Sequence, residues 1–418
     1  MTLDPEKCKG CTHCVKRCPT EAIRVRGTKA QIISELCIDC GECIRVCPHH
    51  AKRAVFDPYE ITKNFTYKIA LPAPALYGQI ANLDDIDYVL TALRQMGFDD
   101  VFEVARGAEI VSDATRRLMH ENALTKPAIS SACPAVLRLI RVRFPNLCGN
   151  LLPLLPPMEI AARMARSQAL ESTGLPDEEI GVFFVSPCPA KVTDVRIPAG
   201  REKSAVSGVL SMAELYPALV SKMNKISVPA PLSRSGIIGV SWAGSGGESS
   251  ALLGEDYLAA DGIENVIKVL EQIEDRRLRR LEFVELNACA GGCVGGVLTV
   301  ENPYVAKARL QILRKYMPVS RNHLGDPKIS ETMLKSEPVR ALPVMKLSED
   351  LNESMRMMSA IDKLTDELPA LDCGSCGAPT CRALAEDIVR GNAMISDCVY
   401  KLREQVQNIA KSFKMLEG

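Results

Sequence analysis
Seventeen cysteines in 418 residues carry most of the reactive chemistry in this sequence, and their spacing sorts them into sets. Cys8-x-x-Cys11-x-x-Cys14-x-x-x-Cys18-Pro19 recurs as Cys37-x-x-Cys40-x-x-Cys43-x-x-x-Cys47-Pro48. A repeat of this form holds two 4Fe–4S clusters, the fourth cysteine of each run binding the other run's cluster. Cys8, Cys11, Cys14 and Cys47 are therefore expected around one cluster, and Cys37, Cys40, Cys43 and Cys18 around the other. Two zinc knuckles, the alternative for paired cysteine runs, have no need of crossed ligands. Electron transfer is the expected role, since thiolate-bound cubanes change charge with little rearrangement. Towards the other end, Cys373, Cys376 and Cys381 are interleaved with Gly374, Gly377 and Pro379. That spacing predicts a tight loop leading into a helix around Arg382–Arg390, with Cys398 as a fourth thiolate beyond it. A third 4Fe–4S cluster is expected there, with a zinc site as the alternative.

Four of the five other cysteines stand where strand-like runs end. Cys133 closes Ala128-Ile-Ser-Ser-Ala-Cys133, Cys188 follows Val182-Phe-Phe-Val-Ser-Pro, and Cys289 and Cys293 follow Phe283-Val-Glu-Leu-Asn-Ala. Strand ends in a parallel sheet converge on the crevice where ligands bind, and four thiolates meeting there suffice for one cubane. The Gly291-Gly292 pair would let backbone approach a bulky inorganic group. Cys148 matches no ligand position and is expected as a buried thiol. His13, His49, His50, His120 and His323 show no metal spacing.

Positioning these sets takes several modules, expected at 1–57, 58–345, 346–398 and 399–418. Strand-like runs at Thr66–Leu71, Asp100–Val104, Val182–Val185, Gly236–Val240 and Glu282–Leu286 alternate with helix-like stretches at Ile86–Met96, Ala114–Leu124, Met158–Leu170 and Met212–Met223. That alternation predicts an α/β middle domain of two half-domains with parallel sheets. From Cys398 onward Val399, Leu402, Val406, Ile409, Phe413 and Leu416 keep a 3–4–3–4–3 spacing. This is an a/d seam, packed either on its own domain or on a second helix. Lysine plus arginine (51) equals aspartate plus glutamate (51), which argues against nucleic acid or an anionic membrane as partner. No run suggests a membrane helix or a secretory leader. A cytoplasmic setting is expected, where so many thiols mean metal and not disulfides.

The three middle motifs resemble the signatures of the iron–iron (FeFe) hydrogenases, whose usual forms are TSCCP, MPCxAKK and EVMACPGGCxxGGG. Here they stand as Ser130-Ser-Ala-Cys-Pro134, Ser186-Pro-Cys-Pro-Ala-Lys191 and Glu285-Leu-Asn-Ala-Cys-Ala-Gly-Gly-Cys-Val-Gly-Gly296, in the same order. Ser241-Trp-Ala-Gly-Ser-Gly-Gly-Glu248 is similar to that family's glycine-rich loop; it is no phosphate loop, for no Lys-Ser/Thr follows. The N-terminal repeat resembles a two-cluster ferredoxin, and the C-terminal set the single-cluster module of electron-bifurcating and corrinoid-linked redox proteins. The resemblance implies a hydrogenase-like core between a ferredoxin-like domain and a small helical 4Fe–4S domain. It implies that Cys133, Cys188, Cys289 and Cys293 ligate the cubane of an H-cluster. Cys293 would bridge to a two-iron subsite bearing carbonyl and cyanide, and Lys191 would contact a cyanide. Maturation proteins would be needed to load that subsite.

The departures are informative. The family's proton-donating cysteine is Ala132 here, which cannot shuttle a proton. Ser186 and Asn287 replace methionines that line the subsite, and around Gly107–Leu118 the family's acidic relay reads as lost: Asp113 stands nearby, but arginines follow. A kept binding cage with a cut proton wire implies a slow hydrogenase that senses hydrogen or redox state. Hydrogen and protons would be its substrates, a ferredoxin-like protein its redox partner, and the C-terminal helix its contact with a signalling partner or second copy. The alternatives are a non-catalytic Fe–S carrier or scaffold without the two-iron subsite, and an ordinary bidirectional hydrogenase.

Overall fold
The computed structural model describes residues 1–416 except 327 and 345, with side chains as far as 412. Phe413 and Leu416 of the expected seam therefore lie outside the described side chains. Contacts divide the chain into two compact units. Residues 1–37, 42–53 and 342–418 form the first; residues 38–41 and 54–341 form the second.

In the first unit four short strands, β1 (Thr2–Leu3), β2 (Ile23–Arg26), β3 (Lys29–Ile32) and β4 (Lys52–Arg53), form two antiparallel pairs, β1 with β4 and β2 with β3. Each cysteine run contains a single helical turn around its third cysteine, His13–Lys16 and Glu42–Arg45. The C-terminal segment adds helices at Leu351–Glu367, Cys381–Val389 and Val399–Leu416. Asp350 caps the first by accepting the Glu353 N–H, and Thr380 caps the second by accepting that of Ala383, as helix starts require. Their shared core is Ile361, Leu368, Ala378, Leu384 and Ala385. The helix Leu351–Glu367 is absent from the sequence reading, although Met355, Met358 and Ile361 carry a three-residue spacing. The last helix leaves its apolar stripe open: Val399, Leu402, Val406 and Ile409 are 54%, 46%, 57% and 57% exposed. The stripe is thus not packed on the described residues of its own unit.

The second unit is α/β, with two parallel sheets. One has the strand order β6 (Asp100–Val101), β5 (Tyr67–Pro72), β8 (Ile180–Ser186), β9 (Gly208–Ser211). The other has the order β10 (Tyr257–Asp261), β11 (Phe283–Asn287), β7 (Ala128–Ile129). All seven residues of β8 are buried, the continuous apolar pattern of a strand covered on both faces. Gly236–Val240, expected as a strand, is instead part of a helix, Ile237–Ser241. Five apolar residues do not distinguish a strand from a buried helical turn, and here contacts with the helix Val104–His120 decide it. That helix begins ten residues before the expected Ala114. The segment 38–41 is held within this unit by Ile38, buried in its core, and by Asp39, which accepts from Thr193 Oγ1 at 2.7 Å and from Arg138 at 3.3 Å. Among the described residues no helix is long and apolar enough to cross a membrane.

Candidate active site
Three strands of the second unit deliver cysteines from their carboxyl ends. β7 leads through Ser130 to Cys133, β8 through Pro187 to Cys188, and β11 through Ala288 to Cys289. Cys133 is the N-cap of the helix Pro134–Arg143, whose first position is proline; proline's missing N–H costs nothing there. Ser186 pins the next loop, donating its hydroxyl to the Cys188 carbonyl at 2.9 Å while accepting the Cys188 N–H at 3.2 Å. In the third loop Gly292 N–H closes a turn on the Cys289 carbonyl at 3.1 Å. Gly292 has φ +90°, and a Cβ there would lie 2.4 Å from Ser245 N. The glycine thus admits the backbone of the 241–248 loop, where the sequence suggested an inorganic group. Ser245 N–H donates to the Gly291 carbonyl and Val294 N–H to that of Ala243, both at 3.0 Å, locking the two loops together.

Between them lies a cavity with about 650 Å³ of empty space. Cys133, Cys293, Lys191, Ala132, Ser130, Asn287, Glu248 and Glu285 line it, with Phe184, Met158 and Trp242 among its apolar walls. Burial pushes the Cys293 thiol up to about 12, with Lys191 opposing, and raises Cys188 likewise. Burial alone would lower the Lys191 ammonium, but Cys293, Cys188 and Cys133 reverse the sign and hold it above the ordinary lysine value. Lys191 Nζ also donates to the Ala132 carbonyl at 3.4 Å. An ammonium held among thiols is a cation set for an anionic group, so donor set, charge and room all fit an iron–sulfur cluster with an attached anionic subsite.

The two buried acids have no assigned role in the sequence reading. Ser130 donates to Glu248 Oε2 at 2.6 Å, and Glu248 Oε1 has no hydrogen-bond partner among the described residues. Glu285 accepts from Gly246 N, Ser249 N and Asn287 Nδ2 at 3.0, 2.9 and 2.8 Å. Burial, then the mutual repulsion of the pair, raises Glu248 well above the usual carboxylate range; burial raises Glu285 against its N–H donors. Asp113 does not line the cavity. It is held by Arg116, Arg117 and the Leu324 N–H, which together lower its pKa against the effect of burial. Ser112 and Thr115 of the same helix are buried, Ser112 accepting the Trp242 indole N–H at 2.9 Å. Lys335 is a further residue the sequence gave no signal for. Its ammonium donates to Ser131 Oγ at 2.7 Å and to the Leu152 and Leu154 carbonyls, steadying the loop that carries Cys133, and burial lowers it to about 7. Cys148 is half-buried at the edge of the core, its pKa raised by burial.

In the first unit a cavity with about 330 Å³ of empty space is lined by Cys8, Cys11, Cys14 and Cys47, so the crossed fourth ligand is brought to the first run. Lys52 lies on the same wall, only 3% exposed and with no hydrogen-bond partner for Nζ among the described residues. An unpaired buried cation beside four thiols is unfavourable unless they bind an anionic cluster. Cys18 and Cys37 face Cys43, whose thiol burial pushes up to about 12, and Cys40 lies in the segment 38–41. Cys373, Cys376, Cys381 and Cys398 line a third cavity of about 310 Å³. Among the described residues no three His, Cys, Asp or Glu side chains converge on a single metal ion. The thiols stand around cavities, as ligands of a cubane's separate irons do.

Comparison with known proteins follows the same division. The family description "Iron only hydrogenase large subunit, C-terminal domain" matches residues 66–255 and 248–297. "4Fe-4S dicluster domain" matches 1–48 and "Putative Fe-S cluster" matches 368–400. The NADP-reducing hydrogenase subunit HndD of Solidesulfovibrio fructosivorans is 23% identical over 352 residues, 71% of this chain and 56% of its own length. Iron hydrogenase 1 of Clostridium pasteurianum is 24% identical over 281 residues, 54% of this chain and 49% of its own. The chain spans about half the length of the curated relatives it matches. A solved FeFe-hydrogenase HydA1 variant from Chlamydomonas reinhardtii superposes with TM-score 0.51 at 16% identity, over 68% of this chain and 97% of that one. A second variant gives 0.52 at 17%, over 68% and 96%. At these identities the likeness is one of fold.

Proposed function
Because this chain belongs to the iron-only hydrogenase family, we propose that it is a hydrogenase-type protein of low turnover, acting on hydrogen and protons and serving hydrogen or redox sensing. The observation that carries this reading is a single cavity lined by Cys133, Cys293 and Lys191, with Ala132 in its wall and two buried acids beside them. The two-iron subsite, when bound, supplies the open iron and the bridging amine at which hydrogen is cleaved.

The chain's residues hold, orient and shield that group. Cys133, Cys188, Cys289 and Cys293 would hold the cubane, and Lys191, set among these thiols, would meet an anionic ligand of the subsite. Phe184, Met158 and Trp242 keep water out. With no thiol at 132, the shortest path for a proton runs over the Ser130 hydroxyl to Glu248 and Glu285. Burial raises both acids above the usual carboxylate range, which favours the proton-carrying form of each. A serine hydroxyl is a far weaker acid than a thiol and can only relay a proton it receives, so the route lacks the donor that a cysteine at 132 would supply. Slow turnover suits a sensor, whose output is occupancy and not flux.

The three remaining cysteine sets carry electrons through 4Fe–4S clusters to a ferredoxin-like redox protein. Maturation proteins load the subsite, and the open stripe of the C-terminal helix reports to a signalling partner or second copy, in a thiol-reducing setting such as the cytoplasm. The test is deuterium gas exchange with the protein matured in cells expressing the maturation machinery. Slow release of HD is expected; no exchange from protein with full iron content would favour a carrier without the subsite.

A further inference from the structure
Val25, on β2 of the first unit, takes part in two cluster sites at once. Its side chain lines the cavity of Cys8, Cys11, Cys14 and Cys47. Its main-chain N–H donates to the Gly377 carbonyl at 2.8 Å, and Gly377 lies between the ligand positions Cys376 and Cys381 of the third cavity. Gly377 has φ +79°, and a Cβ on it would stand 2.1 Å from the Val25 carbonyl oxygen. Only glycine lets the two backbones come this close. The C-terminal loop is therefore laid along the free edge of the β2–β3 hairpin, as an added strand would be.

Charged side chains fix the contact. Asp387, 7% exposed, accepts from Arg24 Nε at 2.6 Å and from Arg26 Nη2 at 2.7 Å. Arg26 Nη1 also donates to the Cys376 carbonyl at 3.0 Å, and Lys16 Nζ to that of Pro379 at 3.3 Å. Lys16 stands two residues from both Cys14 and Cys18. A buried and a half-buried arginine sharing one buried carboxylate form a pairing that tolerates little displacement, because a broken pair leaves the buried charge uncompensated.

We propose that the C-terminal cluster is wired directly to the cluster of Cys8, Cys11, Cys14 and Cys47 across the Val25–Gly377 contact. It is the outer station of the electron path, and Asp387, Arg24 and Arg26 are the positioning residues that hold the junction. One electron leaves the reduced donor cubane and enters the oxidised acceptor; no bond forms or breaks. In the resting protein the electron comes from a low-potential one-electron donor. Cys373, the exposed member of the outer set, gives that station access to solvent and to such a carrier. The proposal rests on the cubane reading of these cysteines and not on hydrogen chemistry. Magnetic coupling without hydrogen turnover would sink the hydrogenase reading and leave this one standing.

The test is electron paramagnetic resonance of the full reconstituted chain, reduced with dithionite, beside Cys381→Ser, Gly377→Val and Asp387→Asn variants. In the wild type the outer cluster's signal should be split by its neighbour. Subtracting the Cys381→Ser spectrum should then leave something other than an isolated cubane. Gly377→Val should abolish the splitting, and the milder Asp387→Asn should weaken it and slow electron transfer between the two clusters at least tenfold, each with unchanged iron. A wild-type spectrum that is the sum of non-interacting cubanes overturns the proposal, whatever the variants do. So does full splitting in Gly377→Val at full iron content.

Discussion
Ser130 donates its hydroxyl to Glu248 at 2.6 Å and accepts the main-chain N–H of Ala132 at 3.2 Å. A single side chain thus joins the position of the missing thiol to a buried acid. If protons travel this way, Glu248→Gln and Glu285→Gln should each lower hydrogen turnover by about 10²-fold, the lower range for a positioned acid–base group. Cluster content and cubane spectra should stay as in the wild type. Turnover that survives both changes would place the route elsewhere.

The same acids make stability depend on pH. A carboxyl whose folded pKa is raised binds its proton more tightly in the folded state. Stability is then greatest below the unfolded value of about 4.3 and falls as pH rises through the higher folded value. Glu248, raised furthest by burial beside Glu285, should dominate this loss. Chemical denaturation between pH 5 and 8 should therefore show Glu248→Gln losing less stability than the wild type. Parallel curves would mean that Glu248 keeps an ordinary pKa.

Restoring a thiol should help. Ala132 lines the cavity between Ser130 and Cys133, so Ala132→Cys places a proton-donating thiol within the site beside the two carboxyls. Turnover of the matured variant should rise, by as much as ~10²-fold. An unchanged rate would locate the slow step further out, beyond Ala132 and Ser130.

The C-terminal stripe should find a partner helix. Val406 and Ile409 are each 57% exposed, and burying such a side chain is worth about 1.5–3 kcal/mol. Charging both, as Val406→Glu with Ile409→Lys, should abolish any dimer or partner complex seen by light scattering while leaving iron content intact. Loss of cluster instead would show that the helix serves Cys398, the ligand just before it. An unaltered assembly would leave the stripe with no partner role.

Much of this was legible in the sequence because cysteine spacing reports ligand sets directly, as Cys47 lining the cavity of Cys8, Cys11 and Cys14 illustrates. Strands such as Ile180–Ser186 were readable for a similar reason: burial on both faces leaves an unbroken apolar run. Less was legible where type depends on tertiary neighbours. Ile237–Ser241 is helical because of what it packs on. Glu285 stood in a motif and Glu248 in a glycine-rich loop, but only folding brings the two together, and no local pattern encodes that. Lys335 reaches Ser131 across some two hundred residues. The glycines of the third cysteine loop were read as room for metal, whereas Gly292 makes room for a neighbouring backbone.

The central claim is that the cavity beside Cys293 and Lys191 holds a two-iron subsite bonded to carbonyl and cyanide. Infrared spectroscopy of the chain matured in cells with the maturation proteins tests it most directly, because those ligands absorb where protein does not. The account predicts carbonyl and cyanide bands that shift on exposure to hydrogen, and that are lost in Cys293→Ser while the three other cubanes remain. A matured protein with four cubanes and no such bands would contradict it and make the chain an electron carrier.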